Sequence, residues 1–314
     1  MYIAYNITAD GGEMKQRTVK STIEMEGIGL HTGEKMSLVI SPAYPDTGIC
    51  FRRSDIECEY TRVSPYTVTS TQLATTIQCG NNTISTIEHL MAALYGLGID
   101  NAKIDVCGPE VPVFDGSSTA FVNAVYNAGV TEQAKARKFI KFKKRIRLEK
   151  DGKWIEVIPS RFFKVTFDIE FENESIGQQK SFINVTPESF TKELASARTF
   201  GFRHEVEQLW QMGLAKGGSL DTAVVIDGTD VLNPEGLRYR DEFVRHKMLD
   251  LVGDISLLGF PIFGHIRAYK SGHNLNNLFA RTLIESANYY DIIELPDTVP
   301  VQNHNLELKP QGIS

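Results

Sequence analysis

Arg245-His-Lys-Met-Leu-Asp-Leu-Val-Gly-Asp254 carries two patterns at once. Around it, Val244, Met248, Leu251, Ile255 and Leu258 recur at the i, i+4, i+7, i+11, i+14 spacing of a helix with a buried stripe. His246, Asp250 and Asp254 stand four residues apart, one turn from each other, on a different side of that helix. A histidine and a carboxylate so placed can grip one cation together. The ordinary alternative is a solvated helix face with a His/Asp contact, and spacing alone does not separate the two.

Outward from this segment, Ser85-Thr-Ile-Glu-His-Leu-Met-Ala-Ala-Leu94 reads as a second helix and adds His89. Two histidines and one carboxylate, His89, His246 and Asp250, are the ligand set of a catalytic zinc ion. Three protein ligands leave a position for water, whereas structural zinc sites are usually closed by four. Glu88 is about 100° around the helix from His89, so the two cannot chelate side by side. They can divide the work, with His89 on the metal and Glu88 acting as a general base on water. Ser85-x-x-Glu88 is equally a capping box, which ties the same carboxylate back to the helix N-terminus.

Coarse patterning gives two α+β halves. Strand-like segments at 18–25, 35–40 and 73–78 lead into the Ser85 helix, a strand at 102–106 and a helix from Ser118 to Ala128. The polar stretch 131–137 reads as a linker. A hairpin turning at Asp151-Gly152 opens the second half, followed by a strand at 163–171. Helices are expected near Pro187, His204, Asp241 and Ser271, with a strand at 223–226. The strand-then-helix order suggests an internal duplication, although no sequence repeat is visible.

The chain of 314 residues is 42% hydrophobic and 23% charged, as expected of a globular protein with two domains. Its net charge of -6 argues against nucleic acid as a partner. The basic run from Arg137 to Arg147 alternates as one strand with a charged, solvated face. Cys50, Cys58, Cys79 and Cys107 contain no C-x-x-C pair, and with no secretory signal they read as reduced thiols of a cytoplasmic protein. No stretch approaches the ~18 apolar residues of a spanning helix, so no stable membrane insertion is expected.

Six segments occur in an order that resembles one family. They are Gly29-Leu-His-Thr-Gly33, Ser85 to Leu94, Pro112-Val-Phe-Asp-Gly-Ser117, Ala197-Arg-Thr-Phe-Gly-Phe202, Arg245 to Asp254, and Ser271-Gly-His-Asn-Leu-Asn-Asn277. The family is UDP-3-O-acyl-N-acetylglucosamine deacetylase, the zinc amidase of lipid A synthesis, and the resemblance spans about Lys15 to about Ser286. It implies that His89, His246 and Asp250 bind Zn2+, that Glu88 is the general base, and that His273 is a second catalytic group oriented by Asp254. It further implies a hydroxyl of Thr199 near the developing oxyanion, Lys247 on the substrate's polar side, and Phe200 and Phe202 as aromatic walls. His31 is a weaker candidate for substrate contact. Each also has an ordinary reading: His273 as a helix-start residue, Thr199 as a turn, the two phenylalanines as core, and Lys247 as a solvated charge.

The architecture implied is two similar domains, 15–130 and 138–286, joined by the linker 131–137. Each is a β-sheet layer packed on helices, with the active site at their interface and extra elements forming an apolar passage for an acyl chain. Residues 1–14 read as an N-terminal extension. Residues 287–314 read as a tail, or as a linker toward a fused hydroxyacyl dehydratase. Three functions stay open: a deacetylase of an acylated UDP-amino-sugar, an amidase of another amino sugar, and a metal-stabilised binding protein. An acid, a base and an oxyanion donor together argue against the last, since binding alone needs none of them.

Overall fold

The computed structural model describes residues 14–295. Its first half runs β1 (Lys15–Val19), β2 (Ile23–Ile28), β3 (Lys35–Pro42), β4 (Ile49–Arg53), β5 (Thr61–Arg62), β6 (Val68–Ser70), β7 (Thr76–Cys79), β8 (Asn82–Ile84), α1 (Glu88–Gly96), β9 (Ala102–Cys107), α2 (Thr119–Ala128) and β10 (Val130–Ala136). The second half begins β11 (Lys138–Phe142), β12 (Ile146–Lys150), β13 (Lys153–Pro159), β14 (Phe163–Glu170), β15 (Gln178–Asn184), α3 (Pro187–Ser189, continued by a π-helical stretch at Phe190–Leu194) and β16 (Phe200–Phe202). It ends α4 (Arg203–Gln211), β17 (Val224–Asp227), β18 (Asp230–Val231), α5 (Glu242–Ser256), β19 (Ile262–Tyr269), α6 (His273–Glu285) and β20 (Tyr290–Glu294).

The two halves repeat one topology. The first sheet has the order β2-β3-β9-β4-β5, with antiparallel, antiparallel, parallel and antiparallel pairings in turn. The second contains β12-β13-β19-β14-β15 with the same four senses in the same order. In each, one helix precedes the central strand and another follows it: α1 and α2 around β9, α5 and α6 around β19. The suspected duplication is therefore present in topology without a sequence repeat, and the fold class is α+β, as expected. Between the fifth strand of each sheet and the helix that precedes its central strand lies an inserted small sheet, β6-β7-β8 in one half and β16-β17-β18 in the other.

Period-2 burial explains the layers. Met36, Leu38 and Ile40 of β3 are buried while their neighbours are half-exposed, and Ile262, Gly264, Ile266 and Ala268 do the same in β19. Each sheet thus turns one apolar face inward. Helices α1 and α5 pack on each other, and nearly every residue of both is buried. Gly253 permits the close approach: a Cβ there would sit 2.2 Å from the Glu88 carbonyl oxygen. The whole polar row of α5 is consequently inside the molecule.

Several expectations are corrected. Residues 131–137 do not form a linker, because β10 pairs antiparallel with β1 across Val130–Ala136. The tail begins later than 287, since β20 pairs along β11 from Tyr290 to Glu294. The basic run is two strands, β11 and β12, and Arg137 is buried against Asp100 at 2.8 Å rather than solvated. The expected strand at 18–25 is two strands, β1 and β2. The N-terminal extension through Glu13 and the remaining tail, 296–314, lie outside the described residues. All four cysteines are free. Among the described residues no helix is long and apolar enough to cross a membrane.

Candidate active site

The start of α1 is set by strand pairing and not by a cap. Ser85 makes a parallel bridge to Glu110, and its hydroxyl lies 2.9 Å from that of Thr76. Thr86 then takes a left-handed φ of 58°, and the helix begins only at Glu88. The capping box of Ser85 and Glu88 does not form. Glu88 instead accepts a hydrogen bond from the Thr75 backbone N–H at 3.0 Å through Oε2.

His89 from α1 meets His246 and Asp250 from α5, with one ligand atom from each within 4.8 Å of the others. All three are at most 4% exposed, which excludes the solvated-face reading. Asp250 Oδ1 lies 3.3 Å from His246 Nε2 and 3.6 Å from His89 Nε2, the two rings standing edge to face. That oxygen is buried and has no hydrogen-bond partner. An orphaned carboxylate oxygen facing two imidazole nitrogens is what a bound cation would satisfy, and two imidazoles with one carboxylate suit zinc. His246 Nδ1 donates to the Ala197 carbonyl at 3.1 Å, which leaves Nε2 as the lone-pair nitrogen. Burial pushes the His246 pKa down to about 3 against the pull of Asp250, so this ring is neutral near pH 7.

Beside this set His273 and Glu88 face each other. His273, the first residue of α6, places Nε2 at 3.8 Å from Glu88 Oε1 and donates through Nδ1 to Asp254 Oδ2 at 2.9 Å. Burial alone would lower the His273 pKa, but Asp254, Glu88 and Asp250 outweigh it and hold it up at about 10. Burial raises the Glu88 pKa, with His273 and His89 opposing. For Asp250, burial is overcome by His246 and Lys247, and its carboxyl lies well below the usual range. The site therefore brings together a cationic imidazole, a buried carboxylate and a neutral imidazole.

The remaining candidates sit at the margin. Lys247 places its ammonium 2.9 Å from Asp250 Oδ2 and 5.6 Å over the Phe200 ring. Phe200 stands edge-on to His246 at 6.3 Å and to Phe243 at 4.9 Å, so it is half wall and half core. Phe202 is farther out, against Phe171 and His204. Thr199 is two residues past Ala197, its N–H donating to Gly116 and its carbonyl accepting from Val224. His31 is not among these side chains; its backbone N–H donates to the buried Glu110.

Four supporting groups escaped the sequence reading. The Thr75 hydroxyl donates to Asp254 Oδ1 at 2.6 Å, and Asn276 donates to Asp254 Oδ2 at 2.8 Å. Arg198, fully buried, donates to Glu242 through its backbone N–H and its Nε, at 3.0 and 2.9 Å. Glu242 opens α5, so this pair ties the 197–202 segment to the helix that Ala197 steadies. Asn276 and Arg198 stand inside motifs already singled out, and that was a usable signal. Thr75 had none, for it follows a left-handed Leu73 in a stretch that reads as plain strand.

The sequence model of the UDP-3-O-acyl N-acetylglycosamine deacetylase family matches residues 16–285. The curated UDP-3-O-acyl-N-acetylglucosamine deacetylase of Oleidesulfovibrio alaskensis is 46% identical over 301 residues, covering 95% of this chain and 98% of its own length. The one from Syntrophotalea carbinolica is 49% identical, covering 89% of this chain and 91% of its own. The one from Neisseria meningitidis is 42% identical, covering 95% and 100%. By class, then, the fold and site are those of an amide hydrolase, a deacetylase. The chain belongs to the UDP-3-O-acyl-N-acetylglucosamine deacetylase family.

Proposed function

We propose that this chain hydrolyses the N-acetyl group of UDP-3-O-(3-hydroxyacyl)-N-acetylglucosamine in the cytoplasm. The products are acetate and UDP-3-O-(3-hydroxyacyl)-glucosamine, and the reaction is the committed step of lipid A biosynthesis. The observation that carries this reading is the unsatisfied Asp250 Oδ1 facing His89 and His246, with Glu88 and a cationic His273 opposed at 3.8 Å beside it. Residues 15–130 and 138–286, the latter extended by Tyr290–Glu294, act as the two domains whose interface is the site.

His89, His246 and Asp250 would hold zinc. When bound, the ion would supply a Lewis acid, lowering the pKa of water toward neutrality and stabilising negative charge on the acetyl oxygen. Glu88 takes the proton from the attacking water; its Oε2 is held by Thr75, so Oε1 is the accepting atom. His273, protonated at both nitrogens, gives the Nε2 proton to the leaving nitrogen as the C–N bond breaks. Asp254 orients that ring and balances its charge. The Thr199 hydroxyl donates to the developing oxyanion, Lys247 faces the polar part of the substrate, and Phe200 and Phe202 line the passage of the acyl chain.

Acetate release from the acylated UDP-sugar tests this directly. Release is expected to fall to background after a chelator strips the metal and to return when zinc is restored. Turnover that is indifferent to complete metal removal would remove zinc from the reading, and no release from this substrate would remove the substrate.

A further inference from the structure

β19 pairs with three strands, β11, β13 and β14. Ile262 and Phe263 pair in parallel with Ile140 and Lys141 of β11, whereas Gly264 to Tyr269 pair in parallel with Phe163 to Asp168 of β14. Next to the start of β19, residues of β11 and of the turn from β13 into β14 line a crevice of about 550 Å³, within the range of roughly 300–1,000 Å³ typical of small-ligand sites.

Its walls are apolar and aromatic. Phe139 stacks on Phe263 with ring centres 4.8 Å apart, and Phe163 stands edge-on to Tyr95 at 5.6 Å. Phe162 also lines it and is 49% exposed. Lys141 and Arg161 line the same crevice, both exposed and both without a carboxylate partner among the described residues. Lys143, two residues along, is by contrast paired with Asp291 at 2.7 Å. An aromatic hollow flanked by two uncompensated cations is complementary to an apolar tail that ends in an anion. The hollow is separate from the metal ligands: Tyr95 lines it six residues beyond His89 on α1, about 9 Å along the helix axis.

We propose that this crevice is a second ligand site, taking a single-tailed carboxylate amphiphile with its tail among Phe139, Phe163 and Phe263 and its head at Lys141 and Arg161. Met14 and Leu295, the ends of the described chain, also line it, so the terminal segments are the competing occupants.

Calorimetric titration of the full chain with decanoate tests the proposal, with 1-decanol as the uncharged probe. One decanoate per chain is expected, with unchanged affinity after the metal is stripped. Both cations are exposed, so the double variant Lys141→Glu, Arg161→Glu should fold, as its circular dichroism would verify. It should bind decanoate at least tenfold more weakly and decanol unchanged, while Phe162→Ala weakens both. The proposal is overturned by equal decanoate affinity in the charge-reversed protein, or by loss of binding on metal removal. It is equally overturned if decanoate binds only after 1–13 or 296–314 is deleted, because the crevice is then the seat of that segment.

Discussion

Helices α1 and α5 hold equivalent places in the two halves, each immediately before the central strand of its sheet, yet they carry different parts of one site. α1 supplies one proposed ligand and the proposed base in two adjacent residues, His89 and Glu88. α5 supplies a proposed ligand, His246, a second, Asp250, one turn on, and the partner of His273, Asp254, a further turn on. Neither half can assemble the set alone. Duplication thus explains the scaffold, and divergence between two equivalent helices explains the chemistry. The inserted sheets differ in the same way: the first half's insert brings Thr75 to the proton-handling residues, and the second half's brings Phe200 beside a ligand.

The sharpest way to break this division is on α5. Loss of a hydrogen-bond partner behind a metal ligand typically costs ~10–100-fold in affinity or activity, so loss of a ligand should cost more. His246→Ala and Asp250→Ala should each lose the zinc and more than ~10²-fold in turnover, measured by metal analysis and acetate release. Full metal content in either would strike that residue from the ligand set.

On α1 the expected effect is confined to turnover. Glu88→Gln should keep the metal and the fold while turnover drops by ~10² or more. Glu88 must be ionised to accept a proton, and burial raises its pKa, so wild-type activity should fall as pH drops through a value above the ordinary 4.5. Near-normal turnover in the variant would take the base away from α1.

The third test concerns the link from α5 to α6. A raised His273 pKa means the protonated ring is favoured in the folded protein; its stabilisation is present below pH 6.5 and lost as pH rises through about 10. Removing the Asp254 charge lowers that pKa. Asp254→Asn should therefore move the basic limb of the pH–rate profile to lower pH, with zinc retained. His273→Ala should be at least as damaging, and the double variant little worse, because residues acting as a unit are non-additive. Additive losses with an unmoved limb would separate the two residues.

Smaller effects probe the contact between the helices. Gly253→Ala inserts a Cβ 2.2 Å from the Glu88 carbonyl oxygen and must push α5 from α1. A loss of about 1–3 kcal/mol in denaturant unfolding is expected, together with weaker zinc retention. Unchanged stability and metal content would mean that the helices are not held this tightly. Ser85→Ala should be the mildest, below about 1 kcal/mol, since it loses one hydroxyl contact with Thr76 and no helix cap. A loss near 2 kcal/mol would restore the cap.

Much of the site was legible because its residues sit in helices whose period is visible. His246, Asp250 and Asp254 share a helical row by spacing alone, and Pro187, Asp241 and Asp151-Gly152 mark element starts and turns that the structure contains. Strand boundaries were read less well. β10 is a polar edge partner of β1 and lacks an apolar alternation, so it resembled a linker. β20 is short and half-exposed, and only its pairing with β11 makes it a strand.

The sequence by itself determined the groups available: two histidines and a carboxylate suited to a cation, a glutamate beside one of those histidines, and a further histidine on a third helix. Local rules were sufficient there, because helical spacing is a property of the chain. Tertiary structure alone decided what those groups do. It turned a row that a sequence allows to be solvated into a buried one by laying α1 across Gly253, and it freed the Glu88 carboxylate from a cap and tied it to the Thr75 N–H. It also set the His273 and His246 pKa values on opposite sides of neutrality. The physical reason is that burial and charge proximity depend on residues far apart in the chain: Thr75 and Asp254 meet only when the two halves close, and Ala197 and His246 only when the second half folds.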